Sequence, residues 1–340
     1  MTAANLQVSV VIEWDNARVS ELARTRAMYA ELVEQICRLH GAIERPRVVE
    51  VLFLYDALEI EPRVIEEVTS APSARLPDGV AVQSVGTPGL PYYQLQNEGA
   101  KRATGDIVVL LDSDVLPEAD WLDQMLRPFH DPDIQLVAGN SYVDPVSLYS
   151  RAFALAWVFP LRTPPGPLTA TSHFFANNVA ARRDLLVRYP FPDEPRFRGQ
   201  CVSLAATLAT EGIPIHINPN AHVCHPPPNG VAHLFHRAMC EGYDLIADQR
   251  IRGTFTPVRL ARNLRLSLGR LRADTAELVA TIRSERVRVG LSPAASPLAF
   301  AIMFLYKAVR AVGEVLTRVD PAVVQRRLGI GPRHLVDLDA

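Results

Sequence analysis

The stretch Asn97–Asp114, NEGAKRATGDIVVLLDSD, decides how the rest of the chain is read. Asn97 to Thr104 has the alanine, glutamate and lysine content of a short helix, and Gly105 is placed to stop it. Ile107 to Leu111 is an unbroken run of β-branched residues and leucine, the pattern of a strand buried on both faces. Two carboxylates follow at once, Asp112 and Asp114, with Ser113 between them. In an open parallel sheet ligands bind beyond the carboxyl ends of the strands, so the pair stands where a site is expected. Crowded hard oxygen ligands suit Mg2+ or Mn2+, and such an ion can hold a diphosphate. A bare D-x-D also occurs in polar turns, so its surroundings must carry the reading.

Those surroundings alternate strand and helix. Upstream, Val8 to Ile12 reads as a buried strand ending in the polar loop Glu13-Trp14-Asp15-Asn16, and a helix is expected from Ala17 to about His40, with Asp15 or Asn16 suited to cap it. Val48 to Leu54 is a second strand, followed by Tyr55 and Asp56, where a turn or capping role is the plain alternative to a ligand contact. Val80 to Val85 is a third, ending in the Gly/Pro-rich loop GTPGLPYY. This alternation predicts an α/β protein with a parallel sheet and right-handed crossovers. Downstream, Pro117 suits a first helical turn, Leu136 to Gly139 reads as a strand, and Val202 to about Glu211 as a helix.

With 340 residues and 48% hydrophobic content the chain can bury a sizeable core, and a net charge of −2 gives no reason to expect nucleic acid as a partner. The four cysteines are scattered, without a C-x-x-C pair, so neither a disulfide framework nor a zinc ribbon is predicted, and a reducing cytoplasm is the expected compartment. The N-terminus lacks a basic region followed by an apolar core, which predicts no signal peptide. No uncharged apolar run reaches the ~18 to 20 residues that span a bilayer as one helix.

The arrangement N-x-G-x-x-x-A-x-G-D-x-V-x-x-L-D-S-D resembles the donor-site segment of the family 2 glycosyltransferases, and the resemblance extends over roughly residues 6 to 240. It implies the GT-A fold, a Rossmann-like, mostly parallel sheet flanked by helices, as a domain over 1–240, with 241–340 a helical C-terminal extension. In that family the first Asp approaches the nucleotide and the last binds the metal, which assigns those roles to Asp112 and Asp114. Asn16 matches the family's asparagine after the first strand, although Glu13 stands where proline is usual. Asp56 is the survivor of a pair of aspartates, one of which meets the base. Asn97 belongs to the donor segment. Phe174 to Arg183 resembles the small-residue segment beside the donor sugar, with Asn177 and Asn178 as hydroxyl partners. His225, at the end of an A-x-V-x-H stretch, matches the histidine that completes the metal shell, and an imidazole tilts the choice from Mg2+ toward Mn2+.

One part of the pattern breaks. Phe197 to Leu204 falls where the family carries a Gly-Glu-Asp segment whose Asp deprotonates the acceptor, but this chain has Gln200 and Cys201 there. Glutamine cannot take a proton at neutral pH. Three readings stay open: Asp193 or Glu194 serves as base from the adjacent loop, Cys201 acts with its pKa lowered by a nearby cation, or the chain binds a nucleotide sugar without transferring it. The first two give a metal-dependent, inverting transferase of the polysaccharide-biosynthesis kind. It would move a sugar from a nucleoside diphosphate donor, most simply a UDP-sugar, to a saccharide or lipid-linked acceptor. The third gives a noncatalytic binding protein. The glycine-rich signatures of sugar-nucleotide pyrophosphorylases and dinucleotide oxidoreductases are absent.

The C-terminal hundred residues add amphipathic helices. Leucines at 260, 264, 268 and 271 recur at helical spacing, with Arg259, Arg262, Arg265, Arg270 and Arg272 largely between them. Ser292 to Tyr306 is uncharged and is followed by Lys307 and Arg310. Peripheral contact with the inner face of a membrane, packing on the catalytic half and contact with a second copy as a homodimer all remain open.

Overall fold

The computed structural model describes residues 6–16, 21–41 and 45–330; the expected helix start at Ala17 lies outside them. The first half runs β1 (Gln7–Glu13), α1 (Leu22–His40), β2 (Arg47–Asp56), α2 (Pro62–Ser73), β3 (Ala81–Thr87), α3 (Tyr92–Arg102) and β4 (Ile107–Asp112). There follow β5 (Leu116–Pro117), α4 (Trp121–Leu126), a 3₁₀ turn (Arg127–His130), β6 (Leu136–Tyr142), α5 (Leu148–Ala156), β7 (Thr169–Thr171), β8 (Asn178–Arg182), α6 (Arg183–Arg188), α7 (Gln200–Thr210) and β9 (Ile215–Cys224). Four helices complete the chain: α8 (Gly230–Ile251), α9 (Leu260–Glu285), α10 (Ser296–Val319) and α11 (Pro321–Leu328).

The strands form one sheet in the order β3-β2-β1-β4-β8-β6-β9-β5, with β7 paired to β9. The β3-β2-β1-β4 block is parallel, and so is the β6-β9 pair; β8 lies antiparallel between β4 and β6. Strand alternation explains why both faces are buried. Val8, Val10 and Ile12 of β1 and Ile107, Val109 and Leu111 of β4 pack with α1, α2 and α4, while Val11, Val108 and Leu110 pack with α3, α6 and α7. Each such valine or leucine contributes about 1.5–3 kcal/mol on burial, which makes the continuous apolar run of β4 the centre of the fold.

Three local expectations are corrected. The third helix begins at Tyr92, five residues before Asn97, because Pro91 takes an extended conformation at the cap and the following residues are free to wind. Gly105 does not stop that helix, which ends at Arg102; it lies where the chain crosses β1, its N–H donates to Ser9 Oγ at 2.9 Å, and a Cβ would come within 2.7 Å of the Ser9 nitrogen. Pro117 does not open a helix but ends the short strand β5, antiparallel to Val223–Cys224, an edge position that a proline tolerates.

By packing, the chain divides into two compact units that interleave in sequence. One takes Met1–Tyr142, Arg162–Asp193 and Gln200–His225, and the other Val143–Leu161, Glu194–Gly199 and Pro226–Ala340. The first holds the sheet; the second is helical, and α8 runs unbroken through residue 240. Among the described residues no helix is long and apolar enough to cross a membrane.

Candidate functional site

Parallel register brings polar strand ends together. Glu13, last in β1, stands opposite Asp112, last in β4, and Asp56, last in β2, stands opposite Thr87, last in β3. All four are buried, so the carboxyl edge of an apolar sheet carries a row of oxygen-bearing side chains. Buried carboxylates need partners, and the structure supplies them.

Asp112 is held from both sides. Tyr92 Oη donates to its Oδ1 at 2.5 Å, and Asn16 Nδ2 donates to its Oδ2 at 2.8 Å. The same Asn16 amide donates to Glu13 Oε1 at 2.8 Å, while Glu13 Oε2 accepts the Asp15 N–H at 2.9 Å. Glu13 thereby fixes the loop that orients Asn16. Asp56 uses one oxygen to accept the N–H groups of Leu58 (3.0 Å) and Gly89 (2.8 Å), which ties together the loops after β2 and β3.

Asp114 differs from its neighbours. It is buried, and its Oδ1 has no hydrogen-bond partner among the described residues. It lies in a group with Asp112 and His225, whose ligand atoms are all within 4.8 Å of one another; the two aspartates are buried and His225 half-buried. Two carboxylates and an imidazole form a donor set for a divalent cation, and the orphaned oxygen is the observation that such an ion explains. These residues therefore fit a metal.

The ligands reach this group from two strands, and Arg24 on α1 braces both. Its Nε donates to the Asp114 carbonyl at 2.5 Å and its Nη2 to the Cys224 carbonyl at 2.7 Å, the residue before His225. His225 is further fixed by its own N–H, which donates to the Tyr142 carbonyl at 2.7 Å. Beside it, Glu118 accepts from Arg162 (2.6 and 2.7 Å) and Tyr142 (2.9 Å), and these bonds, Arg162 first, hold its carboxyl below the usual range. His222 is buried, with Nε2 3.0 Å from the Thr163 carbonyl and Nδ1 3.7 Å from Glu118, so it packs structurally beside the group.

The asparagines divide. Asn177 precedes β8, its carbonyl accepts the Asp112 N–H at 3.4 Å, its Oδ1 accepts from Ser141 at 3.0 Å, and its buried Nδ2 has no partner among the described residues. Asn178 instead receives the Trp121 indole N–H at 2.7 Å and donates to the Ala221 carbonyl at 3.2 Å. Asn97 clamps the Phe191 backbone, donating to its carbonyl at 2.8 Å and accepting its N–H at 2.9 Å. Its conspicuous place in the sequence motif thus corresponds to a tie between α3 and the loop after α6.

The three base candidates sit differently. Asp193 is exposed on the loop between α6 and α7. Glu194 belongs to the second unit and pairs there with buried Arg196 at 2.6 Å. Cys201 is buried in the first turn of α7, and burial pushes its thiol up despite the Tyr93 hydroxyl 3.6 Å away. Gln200 beside it is also buried.

Tyr92 and Arg24 are parts of this site that the sequence does not single out, because they act across 20 and 90 positions of chain. Glu13, charged at the end of an apolar strand, does leave a local trace, and its part in the site is the bond it accepts from Asn16.

Residues 94–188 match the model of glycosyl transferase family 2. The pre-mycofactocin glycosyltransferases of Mycobacterium tuberculosis strains CDC 1551 / Oshkosh and H37Rv are each 30% identical over 135 residues, 38% of this chain and 29% of theirs, so the chain spans under a third of those relatives. Among solved structures, the mannosyltransferase PcManGT from Pyrobaculum calidifontis, in complex with GDP-Man and Mn2+, superposes with a TM-score of 0.55 at 17% identity, covering 95% of this chain and 90% of that one. At that identity the likeness speaks for the fold.

Proposed function

We propose that this chain, which has the GT-A fold and carries the family 2 glycosyltransferase segment over residues 94–188, moves a sugar from a nucleoside diphosphate sugar to a saccharide or lipid-linked acceptor with a bound divalent metal. The observation that carries the reading is the Asp112, Asp114 and His225 group at the carboxyl edge of the sheet, with a buried Asp114 oxygen lacking a partner. Mn2+ suits the imidazole better than Mg2+. A metal held there would supply positive charge against the leaving diphosphate.

The chain's own groups take the remaining roles. Asp112, oriented by Tyr92 and Asn16, faces the nucleotide, Asp56 borders the base and the unused Asn177 amide donates to a donor hydroxyl. UDP-sugars are the first donors to test, with a GDP-sugar second because PcManGT was solved with GDP-Man. Of the base candidates Asp193 is favoured, since Cys201 is kept protonated by burial and Glu194 is engaged by Arg196.

Nucleoside diphosphate release from a panel of nucleotide sugars, with Mn2+ and candidate acceptors, tests the proposal. Asp114→Asn should lower turnover at least a hundredfold, on the order of 10²–10³ for loss of one charge-stabilising group, and Asp193→Asn should lower kcat while leaving donor binding intact. Full activity in Asp114→Asn would overturn the metal reading. The Gln200-Cys201 pair favours a second reading, a nucleotide-sugar binder without transfer; donor binding with no turnover on any acceptor would select it.

A further inference from the structure

Helix α9 is inside out over its first half. The residues it buries there are Asn263 and Ser267, with Arg270 half-buried against Glu314, whereas Leu260, Leu264, Leu266 and Leu268 are exposed by 43–58%. Leu260, Leu264 and Leu268 follow one another at four-residue spacing and form a stripe. Beside it stand Arg259, Arg262, Arg265 and Arg272, all exposed, and none of these four pairs with an acid among the described residues. No acidic residue occurs between Arg259 and Ala273.

Helix α10, which packs on α9, shows the complementary feature. Its buried side carries Met303, Tyr306, Val309 and Gly313, and its outer side carries Leu298, Leu305, Val312, Leu316 and Val319, exposed by 44–63%. Those outer positions fall within one third of the helix circumference at 100° per residue and contain no charge. Ten of the 21 exposed large hydrophobic side chains among the described residues lie on these two helices. A soluble surface seldom concentrates apolar groups in this way without a partner.

We propose that the exposed face of α9 and α10 docks on an anionic lipid surface. Charge decides between occupants. Two copies meeting by a two-fold axis centred on residues 259–273 would set the α9 arginines of one against those of the other, with no acid inside that stretch to offset them. A bilayer takes the leucine and valine stripes into the boundary between headgroups and acyl chains while the arginines extend to lipid phosphates, the arrangement of an interfacial amphipathic helix. A pool of anionic headgroups supplies the counter-charge that the protein itself lacks there.

The test uses the purified 340-residue chain and vesicle flotation, with vesicles of phosphatidylcholine alone or of phosphatidylcholine mixed with the anionic lipid phosphatidylglycerol. Binding is expected to the anionic vesicles, to weaken as salt is raised, and to be marginal on neutral ones. Arg262→Glu/Arg265→Glu should reduce partitioning at least about thirtyfold, from about fivefold for each of the two cations removed, with the reversed charge adding to the loss. Leu264→Glu/Leu268→Glu should reduce it through the apolar face. Circular dichroism melts and donor binding identify variants that fold as the parent does, and Arg262→Lys/Arg265→Lys should restore partitioning. No flotation with anionic vesicles, or equal flotation with neutral ones, would overturn the proposal. So would a concentration-dependent dimer dissolved by Leu305→Glu in place of lipid binding, which would assign the face to a second copy. None of these readouts depends on sugar transfer.

Discussion

Arg24 occupies a position of leverage out of proportion to its place in the sequence. One guanidinium reaches the carbonyls of Asp114 and Cys224, and so couples the two chain segments that carry Asp114 and His225. Groups that orient metal ligands typically change affinity by 10–100-fold when removed. Arg24→Met should therefore weaken Mn2+ binding by about tenfold, read as free ion by electron paramagnetic resonance, with Arg24→Lys intermediate because it keeps one of the two bonds. Unchanged Mn2+ affinity in Arg24→Met would show that the brace is dispensable. At this scale the sequence is legible where ligands are neighbours. Asp112 and Asp114 announce themselves because one residue separates them, and His225 through its motif, whereas Arg24 and Tyr92 reach the group across long stretches of chain and carry no local mark.

Among the elements, α3 shows how tightly helix and sheet approach. Gly99 faces β1, and a Cβ there would lie 2.3 Å from Val11 Cγ1 and 3.1 Å from Leu54 Cδ2. Branched side chains have little room to yield inside a close-packed core. Gly99→Ala should cost about 1–3 kcal/mol, as overpacking does, and would appear as a lower urea midpoint at unchanged m-value. It should also shift Tyr92, at the start of the same helix, and so reduce donor affinity. A midpoint equal to the parent's would mean that α3 can slide. The strands were legible because β-branched runs bounded by polar turns admit few other readings. The start of α3 was less so, since YYQLQ carries no strong helix signal of its own and winds because Pro91 sets the entry and the buried tyrosines dock on the core.

For the whole molecule, the sheet edge gathers carboxylates whose mutual repulsion a cation would relieve. A ligand that binds only the folded chain stabilises it by RT ln(1 + [L]/Kd), about 2.7 kcal/mol at a hundredfold excess over Kd. Thermal unfolding should therefore shift upward with Mn2+, reverse on chelation, and show no shift in Asp114→Asn. A Mn2+ response undiminished in that variant would place the ion elsewhere. The two units interleave in sequence, so stability and metal binding should be followed by probes in each; Trp14 and Trp121 report on the first unit and Trp157 on the second.

Local order was thus determined by the sequence itself. The alternation of apolar runs with polar turns sets the parallel β3-β2-β1-β4 block of an α/β sheet, and the D-S-D after β4 puts two carboxylates at its carboxyl edge, because chain connectivity carries them directly off the end of that strand. What the tertiary structure alone decided is which distant groups meet them. Glu13, Asn16, Tyr92 and Arg24 complete the site through contacts that only folding makes, and Asn97, prominent in the motif, is turned instead to the Phe191 backbone. The same holds for α9, whose leucine periodicity predicts an apolar face but not its direction. Ion pairing of Arg270 with Glu314 and the bond from Asn263 to the Val315 carbonyl turn its polar side inward, leaving the leucines outside.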